Sequence, residues 1–314
     1  MSELRKDYIL DRYVIIATER SKRPDQFFKE QEKRDLTKTD YFAPGNENLT
    51  PKEIGRREDE NGWYIRWFEN KFPAVKEDGP YNVRTDNEFF TFSTAVGKHE
   101  VIVETPKIED EISDLSVGHI KELFEIYRER VHELMKNPKI RYVSVFKNHL
   151  PAAGTSIVHT HSQIIAYNIV PTFVMDKVNK IKNFSYDPYS KVIEIEKRSH
   201  RRCFENESFI SFTPYASRFP LEIWVFPKEY ARTLDDFDDK KMNDLAEMMK
   251  LIFLSLRSID APFNYFLHYA PPGEEMRFHI EVCPRLATWA GFEMATETII
   301  NSVTPEEAAK FYRG

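Results

Sequence analysis

The sequence predicts an α+β fold made of two fused copies of one module, each an antiparallel sheet with packed helices. Three observations predict it. Short runs rich in β-branched and aromatic residues recur along the 314 residues, while two longer stretches, 117–136 and 237–256, carry apolar residues at helical spacing. The order of these segments repeats, weakly, in the second half. A dense group of chemically capable side chains, His159-Thr-His161-Ser-Gln163, stands in the first half and has no full counterpart in the second. The boundary is placed at residue 185: 1–185 is the N-terminal module with the reactive group, and 186–314 is a degenerate C-terminal copy.

Residues 8–17 (Tyr8-Ile-Leu-Asp-Arg-Tyr-Val-Ile-Ile-Ala17) read as a strand. Three cations follow within four residues, Arg20, Lys22 and Arg23, and arginine forks suit bidentate phosphate recognition, although ordinary surface charge gives the same string. Residues 25–60 are polar with little periodicity and read as loop-rich. Trp63–Phe68 reads as a strand, ended by Glu69-Asn70-Lys71-Phe72-Pro73-Ala74. His99–Val103 alternates like a strand with one buried face. The 117–136 helix has Ile120, Leu123, Phe124, Tyr127, Val131, Leu134 and Met135 on one side. A strand at 141–147 leads into the reactive group.

In the second half, Phe209–Pro220 parallels the Asn70–Phe72 segment and Leu221–Pro227 parallels His99–Pro106. The helix near 237–256 parallels 117–136, and Phe263–Pro272 with Phe278–Arg285 parallels the strand pair around the reactive group. Thr304, Pro305 and Glu307 make a helix start with cap, first-turn proline and capping box.

The central stretch is Asn148-His-Leu-Pro-Ala-Ala-Gly154-Thr-Ser156-Ile-Val-His159-Thr-His161-Ser-Gln163. Residues 157–166 read as a strand, which puts His159, His161 and Gln163 on one face. Gly154 and Ser156 let backbone amides approach a ligand closely. Two imidazoles and an amide beside such a loop suit attack on phosphorus, because neutral imidazole is a nucleophile near pH 7. A lone His-x-His pair also serves as half of a metal site. It is the ensemble at fixed spacing that favours catalysis.

Composition bounds the rest. At 41% hydrophobic the chain can bury a core, and no apolar run is long enough to span a membrane. The start, Met1 to Lys6, lacks the apolar segment of a signal peptide, and Cys203 and Cys283 lie too far apart in sequence to suggest a disulfide framework, so a cytoplasmic protein is expected. A net charge of −6 argues against nucleic acid as a partner. The basic run Lys197–Arg202 reads as a solvated face.

The string Asn-x5-Gly-x-Ser-x2-His-x-His-x-Gln resembles the signature of galactose-1-phosphate uridylyltransferases, the transferase branch of the histidine-triad superfamily. The resemblance spans essentially residues 4–314, and with it the two copies become histidine-triad-like modules. It implies that His161 is a nucleophile forming a covalent nucleotidyl-histidine, with Gln163 on the non-bridging phosphate oxygens and Ser156 and His159 assisting. It also implies substrate contacts from Arg20, Arg23, Asn70, Phe72, Asn148, Gly154 and, at the sugar, Glu293. The implied partners are a nucleoside-diphosphate sugar and a sugar 1-phosphate, and the implied assembly is a homodimer.

The family's usual zinc site has two cysteines and two histidines, one of them equivalent to His159. Here the other three positions hold Asp40, Ala43 and Ile108, so no zinc is expected there. Asp40 is expected to hydrogen-bond His159 instead. His268, His279 and Glu281 are spaced like a second metal site, with a fourth ligand available from a helix at 171–180; a metal-free hydrogen-bonded cluster is favoured over a metal. No cofactor is expected for the chemistry. A glutamine and a lysine present in some members are Ile299 and Ala287 here, which leaves the hexose open. The expected activity is transfer of a nucleoside monophosphate, UMP first, between hexose 1-phosphates. The alternatives are an ADP-sugar or dinucleoside polyphosphate phosphorylase or adenylyltransferase, a hydrolase, and a non-catalytic nucleotide binder.

Overall fold

The fold is known from a computed structural model that describes residues 2–22, 39–77 and 84–314. Two short strands open it, β1 (Glu3–Lys6) and β2 (Tyr13–Ile16), paired antiparallel. The strand expected over 8–17 is therefore confined to Tyr13–Ile16. Asp7 is the reason: its Oδ1 accepts the amides of Ile9 and Leu10, each at 2.9 Å, and its Oδ2 accepts from Arg12 at 2.8 Å, which folds the chain back before β2.

The loop expected over 25–60 contains a strand, β3 (Glu53–Asp59), hairpinned to β4 (Gly62–Glu69). β3 is an edge strand carrying Glu53, Arg56, Arg57, Glu58 and Asp59, so its ladder to β4 rather than a buried face defines it, and its sequence shows no apolar period. A small hairpin of β5 (Arg84–Thr85) and β6 (Thr91–Phe92) follows, then β7 (Gly97–Val103), the helix α1 (Val117–Met135) and β8 (Tyr142–His149). β9 covers His161–Tyr167, shorter at its start than the strand expected over 157–166.

After α2 (Thr172–Ile181) and α3 (Pro188–Glu196) come β10 (Arg202–Glu205), β11 (Phe209–Phe212), β12 (Ile223–Pro227), α4 (Asp239–Arg257), β13 (Phe263–His268) and β14 (His279–Pro284). The tail adds α5 (Gly291–Thr296), β15 (Ile299–Asn301) and α6 (Pro305–Arg313), which begins with the expected capping box of Thr304 and Glu307. β15 pairs parallel with β2, tying the end of the chain to its beginning.

Ten strands form one sheet in the order β10-β11-β12-β14-β13-β8-β9-β7-β4-β3. Counted outward from the β13–β8 pair, the second half lays out β14, β12, β11, β10 and the first half β9, β7, β4, β3. The internal repeat thus appears as a pseudo-twofold, with β14 matching β9 and β12 matching β7. Helices α1 and α4 pack on each other and on one face of this sheet. Ile120, Leu123, Phe124 and Tyr127 of α1 and Met249, Ile252 and Phe253 of α4 are buried there against Ile102, Val143, Val145 and Ile164. Each such side chain contributes about 1.5–3 kcal/mol by leaving water.

Among the described residues no helix is long and apolar enough to cross a membrane. Both cysteines are buried and free. The basic run at 197–202 is ion-paired: Arg201 with Glu196 and Glu306, Lys197 and Arg202 with Glu205.

Candidate active site

The sheet face away from α1 and α4 carries the reactive group. In the ladders Val103 lies opposite His161 and Val101 opposite Gln163, so the imidazole and the amide project from the same face of β9. Under them sits a small apolar cluster of Phe42, Trp63, Phe68, Val101 and Val103. The Phe42 ring meets both imidazoles edge-on, at 5.5 Å from His161 and 6.1 Å from His159 between centroids.

His161 is clamped in one tautomer. Its Nδ1 lies 2.9 Å from the carbonyl of His159, an acceptor only, so Nδ1 carries the proton and Nε2 keeps its lone pair. Nε2 has no partner among the described residues. Burial pushes the ring's pKa down to about 4, so the neutral form dominates at physiological pH. Behind it, Lys147 of β8 is a buried bracket. Its Nζ donates to Glu104 Oε2 at 2.6 Å, Thr160 Oγ1 at 2.7 Å and the His161 carbonyl at 3.0 Å, and Thr160 Oγ1 donates to the same Glu104 oxygen at 2.9 Å. The backbone entering β9 is thus held by a charged network.

His159 precedes the strand instead of lying in it. Its Nδ1 lies 2.8 Å from Asp40 Oδ2 and its Nε2 2.6 Å from the Thr105 carbonyl. This is the expected contact with Asp40, and it explains why β9 starts late: the ring is anchored to two loops. Both nitrogens are spent on oxygen partners and the side chains of Ala43 and Ile108 offer no donor, so the residues present do not fit a tetrahedral zinc. Two hydrogen bonds do the anchoring in its place.

Gln163 is aimed by a residue that the sequence did not single out. The amide of Ala74 donates to His99 Nδ1 at 3.2 Å, so the His99 proton is on Nε2, which donates to Gln163 Oε1 at 2.8 Å. With its oxygen engaged, the glutamine presents its NH2 group as a donor. Burial lowers the pKa of His99, favouring this neutral form. Asn70 adjoins the same ring, its Nδ2 at 3.2 Å from His99 Nε2, while its Oδ1 caps the turn through the Phe72 amide at 2.9 Å. With Nε2 donating to Gln163, the Asn70 NH2 group has no acceptor in this ring and makes a contact with it, not a hydrogen bond, and the Phe72 side chain is 83% exposed.

The other candidates are spread around this centre. Asn148 accepts from Asn264 at 2.8 Å, and the same Asn264 amide holds the Ala153 carbonyl at 2.8 Å, fixing the loop. Gly154 sits at φ +95°, a conformation that favours glycine, and Ser156 is exposed on the loop beyond it. Arg20 lies in a 3-10 turn, Thr18–Lys22. Arg23 lies outside the described residues. Glu293 lines a cavity of about 1170 Å³ with Tyr142, Phe146, Phe266, Arg218 and Trp289; His161 and Gln163 are not among its lining residues, although Phe146 lies opposite Gln163 in the β8–β9 ladder. Its carboxylate also accepts the Ala290 amide at 3.0 Å.

Lys147, Glu104 and His99 join the candidate site without being singled out by the sequence. A lysine in the apolar strand Tyr142–His149 and a glutamate closing Val-Ile-Val-Glu104 are unusual enough to have flagged the first two. Nothing local flags His99, whose role depends on the β7–β9 register.

The family model for galactose-1-phosphate uridyl transferase, N-terminal domain, matches residues 1–171. ADP-glucose phosphorylase of Arabidopsis thaliana is 31% identical, over 99% of this chain and 92% of its own length. Galactose-1-phosphate uridylyltransferase of Thermotoga maritima is 27% identical over 100% and 98%. The crystal structure of the Arabidopsis thaliana ADP-glucose phosphorylase with bound ADP-glucose superposes with a TM-score of 0.84 at 27% identity, covering 100% of this chain and 99% of that one. The chain belongs to the galactose-1-phosphate uridylyltransferase family.

Proposed function

We propose that this protein transfers a nucleoside monophosphate by double displacement through His161, with ADP-sugar phosphorolysis ahead of uridylyl exchange as the specific reaction. The observation that carries the transfer is the His161 clamp: Nδ1 bound to a carbonyl, Nε2 free, the ring neutral. In the first step the Nε2 lone pair attacks the α-phosphorus of a nucleoside-diphosphate sugar. The bond to the bridging oxygen breaks, and a sugar 1-phosphate leaves with that electron pair. The ring becomes a cation whose Nδ1–H is shared with the His159 carbonyl. In the second step an acceptor phosphate oxygen attacks the same phosphorus and the P–N bond breaks, restoring neutral His161. The NH2 of Gln163 stabilises the charge gathering on the non-bridging oxygens.

Two features support the phosphorylase form. The relative at 31% identity is an ADP-glucose phosphorylase. The glutamine and lysine that some uridylyltransferases carry in the tail are Ile299 and Ala287 here. Uridylyl exchange between hexose 1-phosphates is the second reading, favoured by the T. maritima relative. The proposal places the sugar contact of Glu293 across a homodimer, as the family resemblance implies.

Product analysis separates these. With ADP-glucose and inorganic phosphate, the proposal expects ADP and glucose 1-phosphate in equal amounts. UDP-glucose and galactose 1-phosphate giving UDP-galactose at a higher rate would select the second reading. Release of free nucleoside monophosphate without an acceptor would identify a hydrolase, and no turnover of any donor a binding protein.

His99 gives a further expectation. His99→Phe removes the bond that aims Gln163, and a misplaced stabilising group costs about 10²-fold in kcat. The loss should fall on kcat with little change in KM, and the covalent intermediate should still form, slowly. An unchanged kcat would remove His99 from the account.

A further inference from the structure

The pseudo-twofold sets β14 where β9 lies in the first half, and His279 and Glu281 stand at its start as His161 and Gln163 stand in β9. The likeness reaches the ring itself. His279 Nδ1 lies 3.0 Å from the Arg277 carbonyl two residues back, matching His161 Nδ1 at 2.9 Å from His159. The difference is at Nε2. Lys177 of α2 places its Nζ 3.0 Å from His279 Nε2 and 2.5 Å from Glu281 Oε1, and the three side chains are at most 1% exposed.

His268 of β13 completes the cluster. It faces His279 across the ladder, and the two rings stack at 4.9 Å between centroids. Its Nε2 is 3.3 Å from Glu281 Oε1 without hydrogen-bond geometry, and neither of its ring nitrogens has a hydrogen-bond partner. A buried polar group left so loses its bonds to water without replacement. Two imidazoles and a carboxylate, with ligand atoms all within 4.8 Å, are the donors of a three-ligand metal centre. As it stands, the set does not fit a metal, because the Lys177 ammonium is inside it.

Charge says the same. Glu281 Oε1 meets Lys177 and its Oε2 meets Arg218, which also binds Glu222 at 2.8 Å. Two cations face two carboxylates. A divalent ion added to this buried, balanced group would bring two uncompensated positive charges, at a prohibitive desolvation cost.

We propose that Lys177 is a built-in substitute for a metal ion, holding His268, His279 and Glu281 together without one, and that Lys177→Glu converts the cluster into a four-ligand zinc site. The substitution exchanges an ammonium for a carboxylate, a change of minus two that one divalent ion restores, and supplies the fourth ligand of a tetrahedron. The glutamate is shorter than the lysine, and bonds of about 2 Å to the ion span the difference. The inference is independent of the catalytic reading, since none of the four residues is among those that hold His161 or Gln163.

The test uses the full chain. Wild type and Lys177→Glu are dialysed against chelator, equilibrated with Zn²⁺ and assayed for bound metal by elemental analysis, with thermal unfolding followed with and without Zn²⁺. The wild type is also assayed for zinc and iron as purified. Expected are no metal in the wild type that His279→Ala removes, one zinc per chain in Lys177→Glu, loss of that zinc when His279→Ala is added, and a zinc-dependent rise in Tm for the variant alone. One equivalent of zinc or iron in the wild type, lost in His279→Ala, overturns the proposal. So does a Lys177→Glu protein that stays metal-free or unfolded in excess Zn²⁺.

Discussion

Replacing His161 by alanine is expected to lower turnover by about 10⁴-fold or more, because a double-displacement route ends with its nucleophile. The fold should survive, since the ring packs on Phe42 at the sheet surface and the Lys147 network holds backbone at this position. The wild-type pH profile carries the same claim. Attack needs the unprotonated ring, and burial sets its pKa at about 4. Activity should therefore hold through pH 6.5, where an ordinary histidine is half protonated, and fall only as pH drops through about 4. A rate falling with a midpoint near 6.5 would mean that the ring is not desolvated as described. Stability shifts in the same direction. Between about pH 6.5 and about 4 the unfolded chain binds a proton at this ring that the folded chain refuses, so acid weakens the fold across that window.

The second large effect is expected at Lys147. Lys147→Met strands the Glu104 carboxylate, which is 0% exposed, among apolar neighbours with Thr160 Oγ1 as its remaining described donor. Breaking a buried pair from one side costs about 3–5 kcal/mol, much of it the penalty of the charge left behind. Replacing both partners, as in Lys147→Met with Glu104→Leu, removes that charge and should recover a large part of the loss. Urea unfolding of the two single variants and the double gives the coupling directly. The activity should follow a different pattern: the double variant regains stability but not rate, because Thr160 and the His161 carbonyl have lost the ammonium that fixes them. A double variant with wild-type kcat would reduce Lys147 to a stabilising residue with no part in positioning the nucleophile.

Much of this was legible in the chain. Helix spacing placed α1 and α4 to within two residues, because a long amphipathic face repeats its signal at every turn. That His161 and Gln163 share one strand face was readable because their spacing is local, two residues along a strand. Where reading failed, the cause was a partner distant in sequence. Tyr8–Asp11 look like strand but are turned by Asp7 and Arg12. His159 looks like a strand residue but is drawn off the ladder by Asp40 and Thr105, which lie 119 and 54 positions away. β3 was hidden because an edge strand shows charge on both sides. His99 and Lys177 were hidden for a stronger reason. Their meaning depends on which residue sits across the sheet or under the helix, and no period in the sequence encodes that.

The central claim is the covalent intermediate on His161. The most direct measurement is the intact mass of the protein after brief incubation with ADP-glucose, UDP-glucose or UDP-galactose, each without acceptor, beside His161→Ala treated identically. The account predicts a gain of one nucleoside monophosphate in the wild type, largest with ADP-glucose, reversed by adding phosphate and absent from the variant. A gain of the same mass in His161→Ala, or no gain in a wild type that turns these donors over, would contradict it.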